Sequence, residues 1–194
     1  DTLPLAAEPF AAALDLVLTF VSSGYARIPT IELLRSPHFR FADDGGVFDP
    51  AIVGVLDRNL VEARYVGDRD ELRRLATRWS GSGAARRESP AATPALVAAG
   101  LADELDELTQ PGRSSRLLDC LLRFLDTHRA PAPVDAATAW RESWARAAVV
   151  GVIRDLRDAH ARYDDPVEDL WTVRSTLRRW IEAMTFAAPT GTEG

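Results

Sequence analysis

Apolar residues recur at helical spacing along most of the 194-residue chain. One stripe near the start repeats every three or four residues and consists of Phe10, Leu14, Val17, Leu18 and Val21. Six later stretches repeat the pattern, and no stretch of useful length alternates apolar and polar residues as a half-buried strand does. The sequence therefore predicts an all-α fold, a compact bundle of seven or eight helices.

Three of the predicted helices begin where a capping residue precedes a proline, at Asp49-Pro50, Thr93-Pro94 and Asp165-Pro166. The side-chain oxygen of a capping residue accepts a hydrogen bond from the first helical turn, and proline suits the first helical position. Glu168 lies three residues after Asp165, which is the spacing of a capping box. We expect a helix to begin at each of these three sites.

Other helix starts are predicted from aspartate and proline. Asp68 is expected to cap one helix, and Asp135 is expected to begin the longest helix, which runs to about His160. A short helix is predicted from Ile31 to Arg35, after Pro29-Thr30.

The expected organisation is one helical domain over residues 1–194, with a flexible loop at residues 80–92 as the plausible internal boundary. The chain begins without methionine and ends in a run of small and polar residues, so we expect a fragment of a longer protein. The sequence has no basic-then-apolar leader and no apolar stretch of 18 residues. We therefore expect no membrane span and a cytoplasmic location.

All 23 basic residues are arginines, and the chain contains no lysine. It therefore lacks the lysine of a Walker A phosphate loop, of a Schiff base and of the usual restriction-type nuclease centre. The single cysteine, Cys120, excludes an internal disulfide and a multi-cysteine metal site. No set of residues predicts a catalytic, cofactor or metal site, so a stand-alone enzyme is the least supported class.

The histidines and one cluster of acids are expected to have structural rather than catalytic or metal-binding roles. His38, His128 and His160 each lack a neighbour at the spacing of a metal-binding pair, so structural roles are expected. Four acids with leucines between them are expected to form a solvated acidic face rather than an acid–base pair. These acids are Asp103, Glu104, Asp106 and Glu107.

Positive charge is concentrated in one part of a chain whose formal net charge is −6. Residues 50–92 hold eight arginines and six acids, whereas the stretches on either side are net acidic. Five of these arginines, on one predicted helix and in the loop after it, are candidates for contacting DNA phosphates. They are Arg73, Arg74, Arg78, Arg86 and Arg87. The alternative is a solvated face in which Asp70 and Glu71 pair with them.

The segment from Phe10 to Arg40 resembles part of a known family. It combines a leucine-rich helix, a Gly-Tyr-Ala-Arg link and the residues Leu33-Leu34-Arg35-Ser36-Pro37. These features resemble the start of the helical 2B insertion of superfamily 1 helicases of the UvrD/RecB type. They are most similar to the AddB-like, inactivated-helicase branch found in helicase–nuclease repair complexes. The resemblance extends through Leu56 to Gly67 and covers about residues 5–80, and the remainder matches by helical pattern alone.

The resemblance implies a non-catalytic domain inserted in a larger DNA-repair protein of the helicase/exonuclease type. Helicase motifs and a nuclease centre would then lie outside this chain. In that family the insertion contacts duplex DNA or packs against a partner subunit of the helicase–nuclease complex. These are therefore the expected partners, and no cofactor is expected.

A free-standing regulatory or small-ligand-binding domain is the alternative function. Five tryptophans are numerous enough to line a small-molecule pocket, and a closed apolar cavity would favour this alternative. However, four of them lie at helical spacings that are more typical of core residues. These four are Trp140, Trp144, Trp171 and Trp180.

Overall fold

Eight α-helices make up most of the residues that the computed structural model describes, which are 2–41, 48–81, 89–130 and 136–187. The all-α class predicted from the sequence is confirmed. The helices are α1 (Pro9–Ser22), α2 (Arg27–Arg35), α3 (Pro50–Glu62), α4 (Arg69–Trp79), α5 (Ala92–Glu104), α6 (Ser114–Thr127), α7 (Ala136–Arg162) and α8 (Leu170–Ala183).

Two short antiparallel strand pairs join distant parts of the chain. β1 (Thr2–Pro4) pairs with β4 (Thr185–Ala187), and β2 (Gly112–Arg113) pairs with β3 (Val167–Glu168). No strand was predicted, because two or three residues are too few to produce an alternating pattern. The first pair brings the two ends of the described chain together.

One continuous cluster of buried apolar side chains receives residues from all eight helices. Phe10 and Phe20 of α1, Leu56 of α3 and Leu72 of α4 are among its largest fully buried members. Helices α4 and α5 pack against each other, so the chain on both sides of the predicted loop contributes to the same core. Of that loop, residues 82–88 lie outside the described residues.

Two of the predicted aspartate caps are confirmed. Asp49 accepts a hydrogen bond from the backbone N–H of Ala51 at 2.8 Å, and Asp68 accepts one from that of Glu71 at 2.9 Å. Each bond satisfies an N–H group that has no partner within its own helix. The predicted cap at Asp135 lies outside the described residues.

Two helices begin earlier than predicted. Helix α2 starts at Arg27 rather than Ile31, and α5 starts at Ala92 rather than Pro94. The proline that was expected to open each helix, Pro29 or Pro94, is instead its third residue. Proline is accommodated there because the N–H groups of the first turn have no acceptor within the helix.

The helix start predicted at Asp165 is wrong. Helix α8 begins at Leu170, where Asp169 accepts a hydrogen bond from the N–H of Thr172 at 2.8 Å. Asp165 accepts hydrogen bonds from the N–H and hydroxyl of Ser115, at 2.9 and 2.7 Å. The bond from the Ser115 N–H lowers the pKa of the Asp165 carboxyl. Asp165 therefore caps α6 from another part of the chain, which local spacing does not reveal.

Three of the tryptophans expected in the core are largely exposed. Trp144, Trp171 and Trp180 keep 51%, 75% and 49% of their surface accessible. In α8 the buried residues include Val173 and Leu177, which lie on one narrow face because the helix packs against the core on one side. The apolar spacing predicted the helices correctly, but the face that each helix buries is narrower than the positions of these tryptophans implied.

Two turns of the chain are held against each other, one before α2 and one before α4. The N–H of Asp68 donates a hydrogen bond to the carbonyl of Gly24 at 2.7 Å. The Tyr65 hydroxyl donates another to the carbonyl of Tyr25, also at 2.7 Å. A Cβ atom on Gly67 would lie 2.9 Å from the Gly24 carbonyl oxygen. The close approach of the two turns therefore requires glycine at this position.

Alanine substitutions at two glycines are expected to change stability in opposite directions. Gly67→Ala forces the two turns apart and should lower the free energy of unfolding by about 1–3 kcal/mol. Gly100→Ala, within α5, meets no heavy atom within 4 Å and should raise that free energy by about 0.5–1 kcal/mol. Urea denaturation of both variants measures the difference, and a Gly67→Ala protein as stable as the parent would contradict the packing of the turns.

Candidate nucleic-acid interface

The α4 arginines predicted to contact DNA are partly neutralised by acids. Arg73 pairs with Asp103 of α5, and this hydrogen bond raises the pKa of Arg73. Arg74 pairs with Glu71 on its own helix, with Nε and the carboxylate 2.8 Å apart. Arg78 is exposed and has no ion pair within the described part of the chain. The predicted Arg86 and Arg87 lie outside that part.

The acids at and just after the end of α5 account for much of this neutralisation, and each of them has a cationic or histidine partner. Besides the Asp103 pair, Asp106 pairs with Arg69 at the start of α4. Glu104 lies 2.7 Å from His128, and Glu107 pairs with two arginines of α6. The acidic face predicted from the sequence is therefore also a contact between elements, and the positive charge of α4 is largely balanced.

The histidines also make contacts that fit structural roles. His38 Nδ1 lies 2.9 Å from a carboxylate oxygen of Glu142, and His160 Nδ1 lies 3.0 Å from the carbonyl of Asp164. His128 lies beside the Phe41 ring, with centroids 5.2 Å apart. In the residues that the structure covers, no three histidine, cysteine or acidic side chains are grouped as metal ligands would be.

A groove of about 550 Å³ runs between α6 and α7. Asp119 in the first half of α6 pairs with Arg157 near the end of α7 at 2.5 Å, so the two helices run antiparallel. Five arginines and two aspartates lie along the groove. They are Arg123, Arg129, Arg146, Arg154, Arg157, Asp119 and Asp126. The groove therefore holds an excess of positive side chains, and none of its arginines was predicted as a site residue from the sequence.

The groove arginines differ in how far acids neutralise them. Arg157 pairs with Asp119, and Arg123 lies 3.1 Å from Glu107. Arg129 and Arg154 are exposed, and neither forms an ion pair with another described residue. This contrasts with α4, where the described acids pair with most of the arginines.

Arg146 is the least expected residue of the groove because it is nine-tenths buried. Its Nη2 donates a hydrogen bond to the carbonyl of His38 at 2.7 Å, and its guanidinium carbon lies 4.5 Å from the centre of the Phe10 ring. Its Nη1 is buried and has no hydrogen-bond partner among the described residues. Burial, followed by the nearby charge of Arg129, lowers the pKa of Arg146.

The arrangement around Arg146 favours an anion in the groove. Arginine stays protonated in proteins, so Arg146 keeps its charge despite the lowered pKa. The nearby Glu142 carboxylate opposes this lowering, but it forms its ion pair with His38 rather than with Arg146. A buried charge without an ion-pair partner is costly, and its field is weakly screened. An anion lying between Arg129 and Arg154 would add a negative charge beside Arg146. The groove is therefore suited to phosphate groups, which arginine recognises well.

Grouping the charged residues of α7 by helix face would have indicated part of this groove. Arg146, Arg154 and Arg157 lie at i, i+8 and i+11, which places them on one side of α7. Net charge counted along the chain did not reveal them, because the acids of α7 lie on its other sides and Asp119 and Asp126 of α6 line the groove itself. The packing of α6 against α7 could not be read from local sequence.

A second groove, of about 250 Å³, lies between α1 and α8. Its charged residues already pair with each other, Arg174 with Asp15 at 2.7 Å and Arg178 with Glu182 at 2.8 Å. Ligand pockets usually enclose about 300–1,000 Å³ and cover most of the ligand. None of the described tryptophans lines this groove, so it fits the small-ligand alternative poorly.

Among the described residues, no helix combines the length and the apolar character needed to cross a membrane. No family model, no curated protein and no solved structure matches the chain.

Proposed function

We propose that this chain is a non-catalytic helical domain of a DNA-repair protein of the helicase/exonuclease type, and that it contacts DNA phosphates through the α6–α7 groove. The observation that carries the proposal is the set of groove arginines without ion-pair partners among the described residues, Arg129, Arg146 and Arg154. The link to repair proteins rests on the resemblance of residues 5–80 and on the all-α fold.

Charge and geometry both support this use of the groove. The chain is acidic as a whole, with a formal net charge of −6, so non-specific attraction to DNA is expected to be weak. A surface that carries several arginines and lies next to the buried charge of Arg146 still attracts a polyanion. Salt screens distant charges, so the nearby charges determine the electric field at this surface. The α4 arginines remain a second candidate surface, with Arg78 as the member that has no described partner.

Docking to a partner subunit is the second candidate, and it has its own observation. Three apolar side chains around the connection from α7 to α8 are strongly exposed, Tyr163 at 81%, Val167 at 67% and Trp171 at 75%. Exposed apolar residues gathered in one region are typical of protein interfaces. This surface is separate from the groove residues, so docking and DNA contact are compatible.

Fluorescence anisotropy of labelled DNA tests the proposal, using both a duplex and one of its strands. Two or three phosphate contacts should weaken duplex binding about 10- to 40-fold between about 50 and 200 mM salt, because bound counterions are released. Absence of binding to either form at low salt would contradict DNA contact and would leave subunit docking as the proposed role.

A further inference from the structure

Two tryptophans lie beside the groove on the same helix. The rings of Trp140 and Trp144 are 5.6 Å apart between centroids, at an angle of 45°. Trp144 keeps 51% of its surface exposed, although a tryptophan is large and apolar. Its exposed ring, supported by Trp140, offers a flat aromatic surface to solvent.

Helix geometry places this pair at the edge of the groove. Ser143 and Ala147 line the groove, and each follows one of the two tryptophans by three residues. Residues three apart on a helix are neighbours, with Cβ atoms about 5–6 Å apart. The aromatic surface and the groove arginines are therefore adjacent, and one extended ligand can touch both.

We propose that the groove and Trp144 together bind single-stranded nucleic acid, with backbone phosphates near Arg129 and Arg154 and a base stacked on the Trp144 ring. This inference rests on the proposed contact with DNA phosphates, and it adds that the groove binds a single strand rather than a duplex. Single-strand sites combine a basic groove that follows the backbone with aromatic rings that stack on bases. Duplex DNA offers the same phosphates, but its bases are stacked on one another and cannot lie on a tryptophan.

The test compares three labelled probes of equal length: an oligothymidine of about twelve nucleotides, its duplex, and an abasic strand with the same phosphates. The oligothymidine should bind more tightly than the other two. Trp144→Ala should weaken oligothymidine binding about tenfold, because stacking of one base contributes that order of affinity. The same variant should leave binding of the duplex and of the abasic strand unchanged.

Trp171→Ala is the matched control, since Trp171 is even more exposed but lies on α8 outside the groove. It should bind all three probes as the parent does, and circular dichroism should show both variants folded. Equal affinity for oligothymidine and the abasic strand, or no effect of Trp144→Ala, would overturn the stacking proposal while phosphate binding remained. Failure of all probes to bind would overturn the proposed function and this inference with it.

Discussion

Reversing two charges in the groove, in the double variant Arg129→Glu/Arg154→Glu, is expected to lower DNA affinity at least about tenfold. Both side chains are exposed, so the fold should be retained. Two phosphate contacts would be replaced by repulsion. The slope of log affinity against log salt should also become shallower, by about one unit for each lost duplex phosphate contact.

A matched variant separates this local effect from the change in net charge. Arg74→Glu/Arg78→Glu alters the formal charge by the same amount on α4, where Arg74 pairs with Glu71. We expect it to weaken binding less than the groove variant, since only the general attraction to DNA is reduced. A larger loss in the α4 variant would contradict the groove assignment and would restore the surface predicted from the sequence. Equal losses would show that net charge alone governs binding.

Much of the fold follows from local patterns in the sequence. The apolar stripe of α1 and the caps at Asp49 and Asp68 depend on neighbouring residues, and the structure contains each of them. The wrong predictions concern residues whose hydrogen-bond partners are far away in the sequence. Asp165 was expected to cap its own helix, but it caps α6 because Ser115 lies beside it in the fold.

The candidate site was harder to predict for the same reason. A cluster of arginines in the sequence indicated α4, yet acids from a following segment, such as Asp103, pair with it in the fold. Conversely, the groove arginines come from α7 and from α6 with the residues just after it, and acids interrupt the positive charge in the sequence of both helices. The burial of Arg146 depends on Phe10 and His38, which lie more than 100 residues away in sequence. Sequence periodicity identifies a helix face, but tertiary packing determines which charges remain unpaired.

Replacement of Arg146 by methionine separates a structural role for this residue from a role in binding. Methionine keeps an unbranched apolar side chain and removes the buried charge. The carbonyl of His38 loses the bond from Arg146 but still accepts one from the N–H of Ala130 at 3.3 Å. Burying a charge that has no ion-pair partner costs free energy, and the methionine side chain removes that cost. We therefore expect the free energy of unfolding of Arg146→Met to be unchanged or higher.

The DNA affinity of the folded Arg146→Met variant tests the central claim most directly, because the claim is that the charge of Arg146 serves the groove. The buried charge contributes to the field in the groove without touching the ligand, and its loss should lower affinity about tenfold. Urea denaturation and anisotropy on the same preparation give both quantities. A stable variant with reduced affinity is the predicted result. A variant that loses stability but binds DNA as the parent does would contradict the account, since Arg146 would then be a structural residue.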